Sequence, residues 1–160
     1  MEAIIRRLNP NDVALWKEIR LEALKNHPPA FGMSYEEEIL YSDDKFREIL
    51  AENQVFGAFD GERIVAIGGF DIYKQKKISH RARFWGMYVR PEKRGSGVGQ
   101  RIIETIIEHA SKSAKQIHCS VVAGNIAAIK LYEKCGFKIY GTEPDFIRIG
   151  DDFYDEHLMV

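Results

Sequence analysis

The stretch Val89-Arg90-Pro91-Glu92-Lys93-Arg94-Gly95-Ser96-Gly97-Val98-Gly99 sets an arginine and three alternating glycines between two apolar segments. Phe84 to Val89 precedes it, and an amphipathic segment opening on Gln100-Arg101-Ile102-Ile103 follows. Gly95, Gly97 and Gly99 remove Cβ atoms where a ligand could lie against backbone, and bare N–H groups at a helix start form a concave anion site. Arg94 adds a planar, permanently charged donor suited to phosphate oxygens. The chemistry expected of Arg94, Gly95, Ser96, Gly97, Val98 and Gly99 is therefore to hold a pyrophosphate. A P-loop would end in Gly-Lys-Ser/Thr, whereas Gly99 is followed by Gln100. A Rossmann fingerprint is spaced Gly-x-Gly-x-x-Gly directly after a strand, and neither the spacing nor the position past mid-chain fits. A glycine-rich connection without a ligand is the plain alternative for this stretch taken alone.

A second cluster, Asn125-Ile126-Ala127-Ala128-Ile129-Lys130-Leu131-Tyr132-Glu133-Lys134-Cys135-Gly136-Phe137, reads as a complete short helix. Asn125 is a good N-cap, Ala127, Ala128 and Leu131 favour the helix, and Gly136 suits the left-handed position after it. Asn125, Ala128 and Tyr132 fall on one helical face.

Together the two stretches resemble the GNAT superfamily of N-acetyltransferases. Its Arg/Gln-x-x-Gly-x-Gly/Ala signature is matched by Arg94, Gly97 and Gly99. Its later Asn-x-x-Ala-x-x-x-Tyr-x-x-x-Gly-Phe block is matched by Asn125, Ala128, Tyr132, Gly136 and Phe137. The resemblance implies an α/β, three-layer fold with a central mixed sheet, splayed so that acetyl-CoA enters between two parallel strands. It implies an acetyl-CoA-dependent N-acetyltransferase that moves the acetyl group to a primary amine, of a small molecule or a protein N-terminus, by direct attack in a ternary complex. A non-catalytic acyl-CoA-binding module of the same fold is the alternative.

The residue roles follow from the resemblance and from what the reaction demands. A backbone N–H at Met87 or its neighbour would stabilise the oxyanion, and Met87, Tyr88 and Val89 would pair with the pantetheine amides. Gly86, inside the same strand, marks a bulge or a close backbone approach. Tyr132 is the expected general acid, because a phenol stays protonated at neutral pH and can protonate the departing thiolate. Its plainer role is to pack the helix onto the sheet. Asn125 and Ala128 would face the cofactor. The general base is left open among His80, Glu36, Glu37, Glu38 and water; His80 reads as a turn residue and the glutamates as a solvated helix face. Lys93, Arg94 and Arg101 are candidates for steering the acidic cofactor.

The elements needed to position these groups alternate along the chain. Strands are expected at Ala3–Leu8, Val55–Phe59, Arg63–Tyr73, Phe84–Val89, Gln116–Val122, Phe137–Tyr140, Phe146–Ile149 and Phe153–Met159. A helix follows Asn11 or Asp12 and ends at His27-Pro28-Pro29; shorter ones cover Tyr35–Tyr41 and Asp44–Ala51. Ile102, Ile103, Ile106, Ile107 and Ala110 give the helix after Gly99 one apolar face. At 160 residues with 45% hydrophobic composition, the chain is read as one domain, 1–160, with one core.

A formal net charge of −1 offers no global attraction to nucleic acid or anionic lipid. No run is long enough to span a membrane and no signal-peptide core is visible, so a cytoplasmic setting is expected. Cys119 and Cys135 form no disulfide framework, and the histidines lack metal-ligand spacing, so no metal is expected. In the implied fold Pro28–Phe46 and Phe146–Tyr154 would line the amine side, where acids would favour a cationic acceptor. The apolar late strands suggest a homodimer, unless Phe146, Phe153, Leu158 and Met159 all turn inward.

Overall fold

The computed structural model describes residues 2–160. Seven strands, β1 (Ile4–Arg7), β2 (Gln54–Asp60), β3 (Arg63–Ile72), β4 (Arg81–Val89), β5 (Gln116–Val122), β6 (Ile139–Ile149) and β7 (Asp152–Met159), form one sheet in the order β1-β2-β3-β4-β5-β7-β6. The helices are α1 (Val13–Asn26), α2 (Tyr35–Glu38), α3 (Asp43–Glu52), α4 (Val98–Ala110) and α5 (Ile126–Lys134). Helices α1 and α3 cover one face: Trp16, Ile19, Phe46 and Leu50 pack with Phe59, Ile64, Ile67 and Tyr88. Helices α4 and α5 cover the other, where Ile102, Ile103, Ile106 and Tyr132 pack with Phe56, Phe70, Phe84 and Val121. Each fully buried Trp16, Phe46, Phe70 or Ile102 contributes about 1.5–3 kcal/mol by leaving water. The result is the three-layer α/β arrangement expected from the alternation of elements.

Most strand pairs are antiparallel; β4 and β5 are parallel, and only briefly. Arg81, Ala82 and Arg83 pair with Gln116, Ile117 and His118, and then the two strands part. From Cys119 onward β5 pairs with β7 instead. The cause on the β4 side is local. Ile67 pairs with Tyr88 and Gly69 with Trp85, so Gly86 and Met87 together oppose Gly68. Gly86 takes φ +69°, which L side chains rarely adopt. Such a bulge bends and twists its strand, and here it accompanies an open slot between Phe84–Val89 and Cys119–Val122.

Several expected boundaries shift. The helix expected at Tyr35–Tyr41 stops at Glu38. Phe137 belongs to no strand but sits in the core beside Phe84 and Tyr132. The segments Phe137–Tyr140 and Phe146–Ile149, expected as separate strands, are one strand, β6, carrying a bulge between Glu143 and Ile147. Asp145 absorbs the bulge at φ +51°, and its N–H donates to the Asp155 carboxylate at 2.9 Å.

Candidate active site

The glycine loop sits at the open end of the slot, and its three glycines do different work. Gly95 and Gly97 have φ of +77° and +85°, and a Cβ on either would meet nothing within 4 Å. Their role is backbone conformation and open space. Gly99 is buried inside the first turn of α4, where a Cβ would stand 3.2 Å from Leu131 and 3.3 Å from Val89. It lets α4 approach β4 and α5. Gly97 caps α4 without a side chain, and apart from a long 3.5 Å contact from Val98 N–H to Ser96 Oγ the first turn takes no side-chain cap; such termini attract anions. Ser96 turns its hydroxyl to Lys93 O at 2.6 Å and serves the loop itself.

The loop's cations separate equally clearly. Lys93 pairs with Asp60, and Arg101 with Glu2 and the carbonyl of Ala3. Arg94 is bound to no carboxylate among the described residues. Its Nε donates to Val89 O at 3.0 Å, its Nη2 lies 3.0 Å from His27 Nε2, and its guanidinium lies over the Tyr88 ring. Since arginine can only donate, His27 Nε2 must accept and so is unprotonated. Burial, and then the charge of Arg94, hold the His27 pKa below its ordinary 6.5.

Across the slot, Asn125 caps α5 by accepting from Ala128 N at 3.3 Å, and Gly136 ends the helix at φ +103°. Ala128 and Tyr132 pack on the same face. The Tyr132 ring meets Phe84 edge-on at 5.5 Å and lies 6.1 Å from Phe137. Burial raises its phenol pKa, so the group is a proton donor rather than an acceptor at neutral pH. Burial likewise pushes the Cys119 thiol up to about 12, which removes it as a thiolate nucleophile. Met87 and Val89 pack toward α4, whereas Trp85 and Tyr88 face α1.

On the α1 face a cavity of about 320 Å³ lies between Leu24, Phe31, Met33 and Tyr35 on one side and Ile147 and Ile149 on the other. The glutamates expected as a solvated face are not alike. Glu36 and Glu37 are exposed, but Glu38 is buried in a two-pronged pair with Arg20, at 3.0 and 2.8 Å. Arg20 lies over Phe31 and Trp85 and comes within 3.6 Å of where a Gly86 Cβ would stand, so the pair braces the bulge. His80 is not brought to the slot: it lies seven residues before Met87 along extended chain, about 23 Å at 3.3 Å per residue. Sequence reasoning missed Glu156, which is buried on β7 opposite Val122. The only trace was a carboxylate at an inward-alternating position of a strand. Among the described residues no three His, Cys, Asp or Glu groups are placed to hold a metal ion, and no helix is long and apolar enough to cross a membrane.

The model of the acetyltransferase (GNAT) family matches residues 16–137, and the chain belongs to that family, an acyltransferase by membership. It is 28% identical over 125 residues to the L-amino acid N-acetyltransferase AaaT of Escherichia coli, covering 74% of this chain and 76% of that one. Among solved structures it is similar to a GNAT-family acetyltransferase of Streptococcus pneumoniae, with a TM-score of 0.87, 23% identity and coverage of 99% and 97%. It is also similar to yncA of Salmonella typhimurium, solved with its cofactor acetyl-CoA, with a TM-score of 0.80, 18% identity and coverage of 99% and 92%.

Proposed function

We propose that this member of the acetyltransferase (GNAT) family, as one domain over residues 1–160, transfers the acetyl group of acetyl-CoA directly to the primary amine of a small molecule or a protein N-terminus. The observation that carries the reading is the parting of β4 from β5 beside an uncapped helix start whose glycines have positive φ. The N–H groups at Gly95 to Gly99, with Arg94, suit the pyrophosphate. The backbone of Met87, Tyr88 and Val89 would pair with the pantetheine arm, and the Met87 N–H would meet the oxyanion in a dry slot, where one such donor is worth about 2.7–4 kcal/mol. Asn125, Ala128 and Tyr132 form the opposite wall, with Tyr132 as the donor to the leaving sulfur.

The acceptor would enter from the α1 face through the cavity beside Phe31 and Ile147. Its lining mixes apolar side chains with Lys25, Arg148 and Glu36, two cations to one acid, and the nearby acids Glu38, Asp43 and Asp44 are already paired with Arg20, Lys17 and Arg47. An amine with an apolar body therefore suits it better than a polycation. AaaT, by its name, acts on L-amino acids. The proposed setting is cytoplasmic, in keeping with two free cysteines. Phe146 and Phe153 do not turn inward, being 53% and 55% exposed, and β6 is an edge strand. Homodimerisation through this hairpin is the proposed use of that surface; a mass of 18.4 kDa at every concentration by light scattering would refute it. The test of the reaction is release of CoA thiol from acetyl-CoA with a panel of amines, amino acids included. Acetyl-CoA binding without amine-dependent release would refute the assignment.

A further inference from the structure

An alkylammonium has no lone pair, so the acceptor must lose a proton before it can attack a thioester. Tyr132 cannot take that proton, since burial keeps it protonated and it stands on the α4–α5 face. Glu38 has both oxygens committed to Arg20. Glu36 lines the cavity but is exposed to solvent, Glu37 receives the Ser34 hydroxyl on an exposed turn, and His80 is a strand's length away.

Glu156 differs from all of these. Residues of β7 alternate between faces, so Tyr154, Glu156 and Leu158 share one side of the sheet. Tyr154 pairs with Ile147, a wall of the acceptor cavity, and Glu156 pairs with Val122, the last residue of β5 before the Asn125 turn. Glu156 thus stands one step along the strand, about 7 Å, from the cavity wall toward the slot. It is 6% exposed. Among the described residues it has no Lys, Arg or His partner, and its polar neighbours are the Ser120 hydroxyl, the Cys119 thiol, which is raised and so neutral, and, directly across β6, Glu143. Keeping a carboxyl dry without a cation is costly, and the hairpin that holds it is otherwise mostly solvent-facing. A group kept in that condition at the junction of cavity and slot is suited to chemistry rather than to packing.

We propose that Glu156 is the general base of the transfer, accepting a proton from the acceptor ammonium on the face opposite Tyr132. The inference rests on the acetyltransferase reading. The ammonium gives one proton to a Glu156 oxygen, and the freed pair forms the C–N bond at the thioester carbonyl. The C–S bond breaks with its electrons going to sulfur, which takes the Tyr132 proton. The nitrogen's second proton leaves and Tyr132 is reprotonated through solvent, while Glu156 returns its proton to solvent. Ammonium and thioester become amide, thiol and one released proton. Burial raises the Glu156 pKa from its ordinary 4.5, toward the range in which a carboxylate is an effective base.

The test is steady-state thiol release across pH, using an amine the wild-type protein accepts, together with acetyl-CoA affinity by calorimetry and the thermal midpoint. Glu156→Gln should lower kcat/KM at neutral pH by about 10²–10⁴-fold. In the variant the acid limb set by Glu156 should give way to one that follows the amine's own titration, with rate recovering at high pH, where the amine is already neutral, and with acetyl-CoA affinity and midpoint retained. Glu156→Asp should keep the acid limb at reduced rate. Glu143→Gln should keep the wild-type rate with the limb moved to lower pH, because a neighbouring negative charge is gone. A wild-type pH profile in Glu156→Gln, or a loss of rate that is equal at every pH and tracks a lost midpoint, overturns the assignment. If the wild-type protein binds acetyl-CoA but releases no thiol with any amine, the acetyltransferase reading falls first and this inference with it.

Discussion

Strands β2 and β3 are buried along almost their whole length, whereas β6 and β7 bury only Ile147, Glu156 and Met159. The first pair is sandwiched between helices on both faces; the second is a wall with solvent on much of its surface. A buried side chain therefore means different things in the two regions. In β2 and β3 it is the default outcome of packing, while in the late hairpin it must be explained. The buried carboxylates make the same point. Glu38 is neutralised by Arg20 and braces the scaffold; Glu156 is met by a hydroxyl and faces a carboxylate.

The sharpest way to break this contrast is to unpair Glu38. Arg20→Ala would leave a buried charge uncompensated and strip the packing onto Phe31 and Trp85, for a loss of about 3–5 kcal/mol in denaturant unfolding. Glu156→Gln should cost well under that, because it removes a charge that has no partner to lose. Equal losses in the two variants would erase the distinction between a bracing carboxylate and a reactive one.

Tyr132 tests the other wall of the slot. Tyr132→Phe keeps the contacts with Phe84 and Phe137 while removing the hydroxyl. Acetyl-CoA affinity should hardly change and kcat should fall by a factor on the order of 10 to 10⁴. The loss should shrink with a thioester whose thiol is more acidic. An unchanged kcat with chemistry rate-limiting would make Tyr132 part of the core alone.

A smaller effect separates the glycines. At Gly97 any side chain must adopt positive φ, a strain of about 1–2 kcal/mol, so Gly97→Ala should weaken acetyl-CoA binding about tenfold. A branched residue such as valine would be worse. Gly99→Ala should instead lower the thermal midpoint, because its Cβ meets Leu131 and Val89. Were Gly97→Ala to leave affinity at the wild-type value, the loop would not be where the cofactor is held.

The parts of the candidate site that were legible in the sequence are those whose requirements are local. A glycine at positive φ, an Asn cap and a Tyr on the same helical face declare themselves within a few residues, which is why Arg94–Gly99 and Asn125–Tyr132 could be marked in advance. The pairing of Arg20 with Glu38 joins residues 18 apart on different helices, and that of Arg94 with His27 spans 67. Neither leaves a periodic trace. Glu156 owes its burial to β5 and β6 lying on either side of it, a consequence of strand order. The interval between the strands expected at Phe137–Tyr140 and Phe146–Ile149 is instead a bulge within one strand, where Asp155 supplies the hydrogen bond that the irregular backbone needs.

The smallest predicted effect concerns how Arg94 is held. His27 accepts from Arg94 only while neutral, and it is packed against the Tyr88 ring, whose hydroxyl in turn donates to Glu22. Its folded pKa is lowered, so the unfolded chain binds the proton more readily. Stability from His27 is complete above pH 6.5 and is lost as pH falls through the lower folded value. His118, beside Arg81 at the far end of the sheet, is also lowered and adds to that slope. Acetyl-CoA affinity is thus the more selective readout. The wild-type protein should bind more weakly as His27 gains its proton and can no longer accept from Arg94. His27→Gln supplies an acceptor that does not titrate, so it should match wild type at pH 8 and lose the decline at lower pH. The ligand's own phosphate titrates near pH 6 in both proteins, which makes the difference between the two affinity curves the quantity to measure. Superimposable curves from pH 8 to 5.5 would show that His27 does not position Arg94.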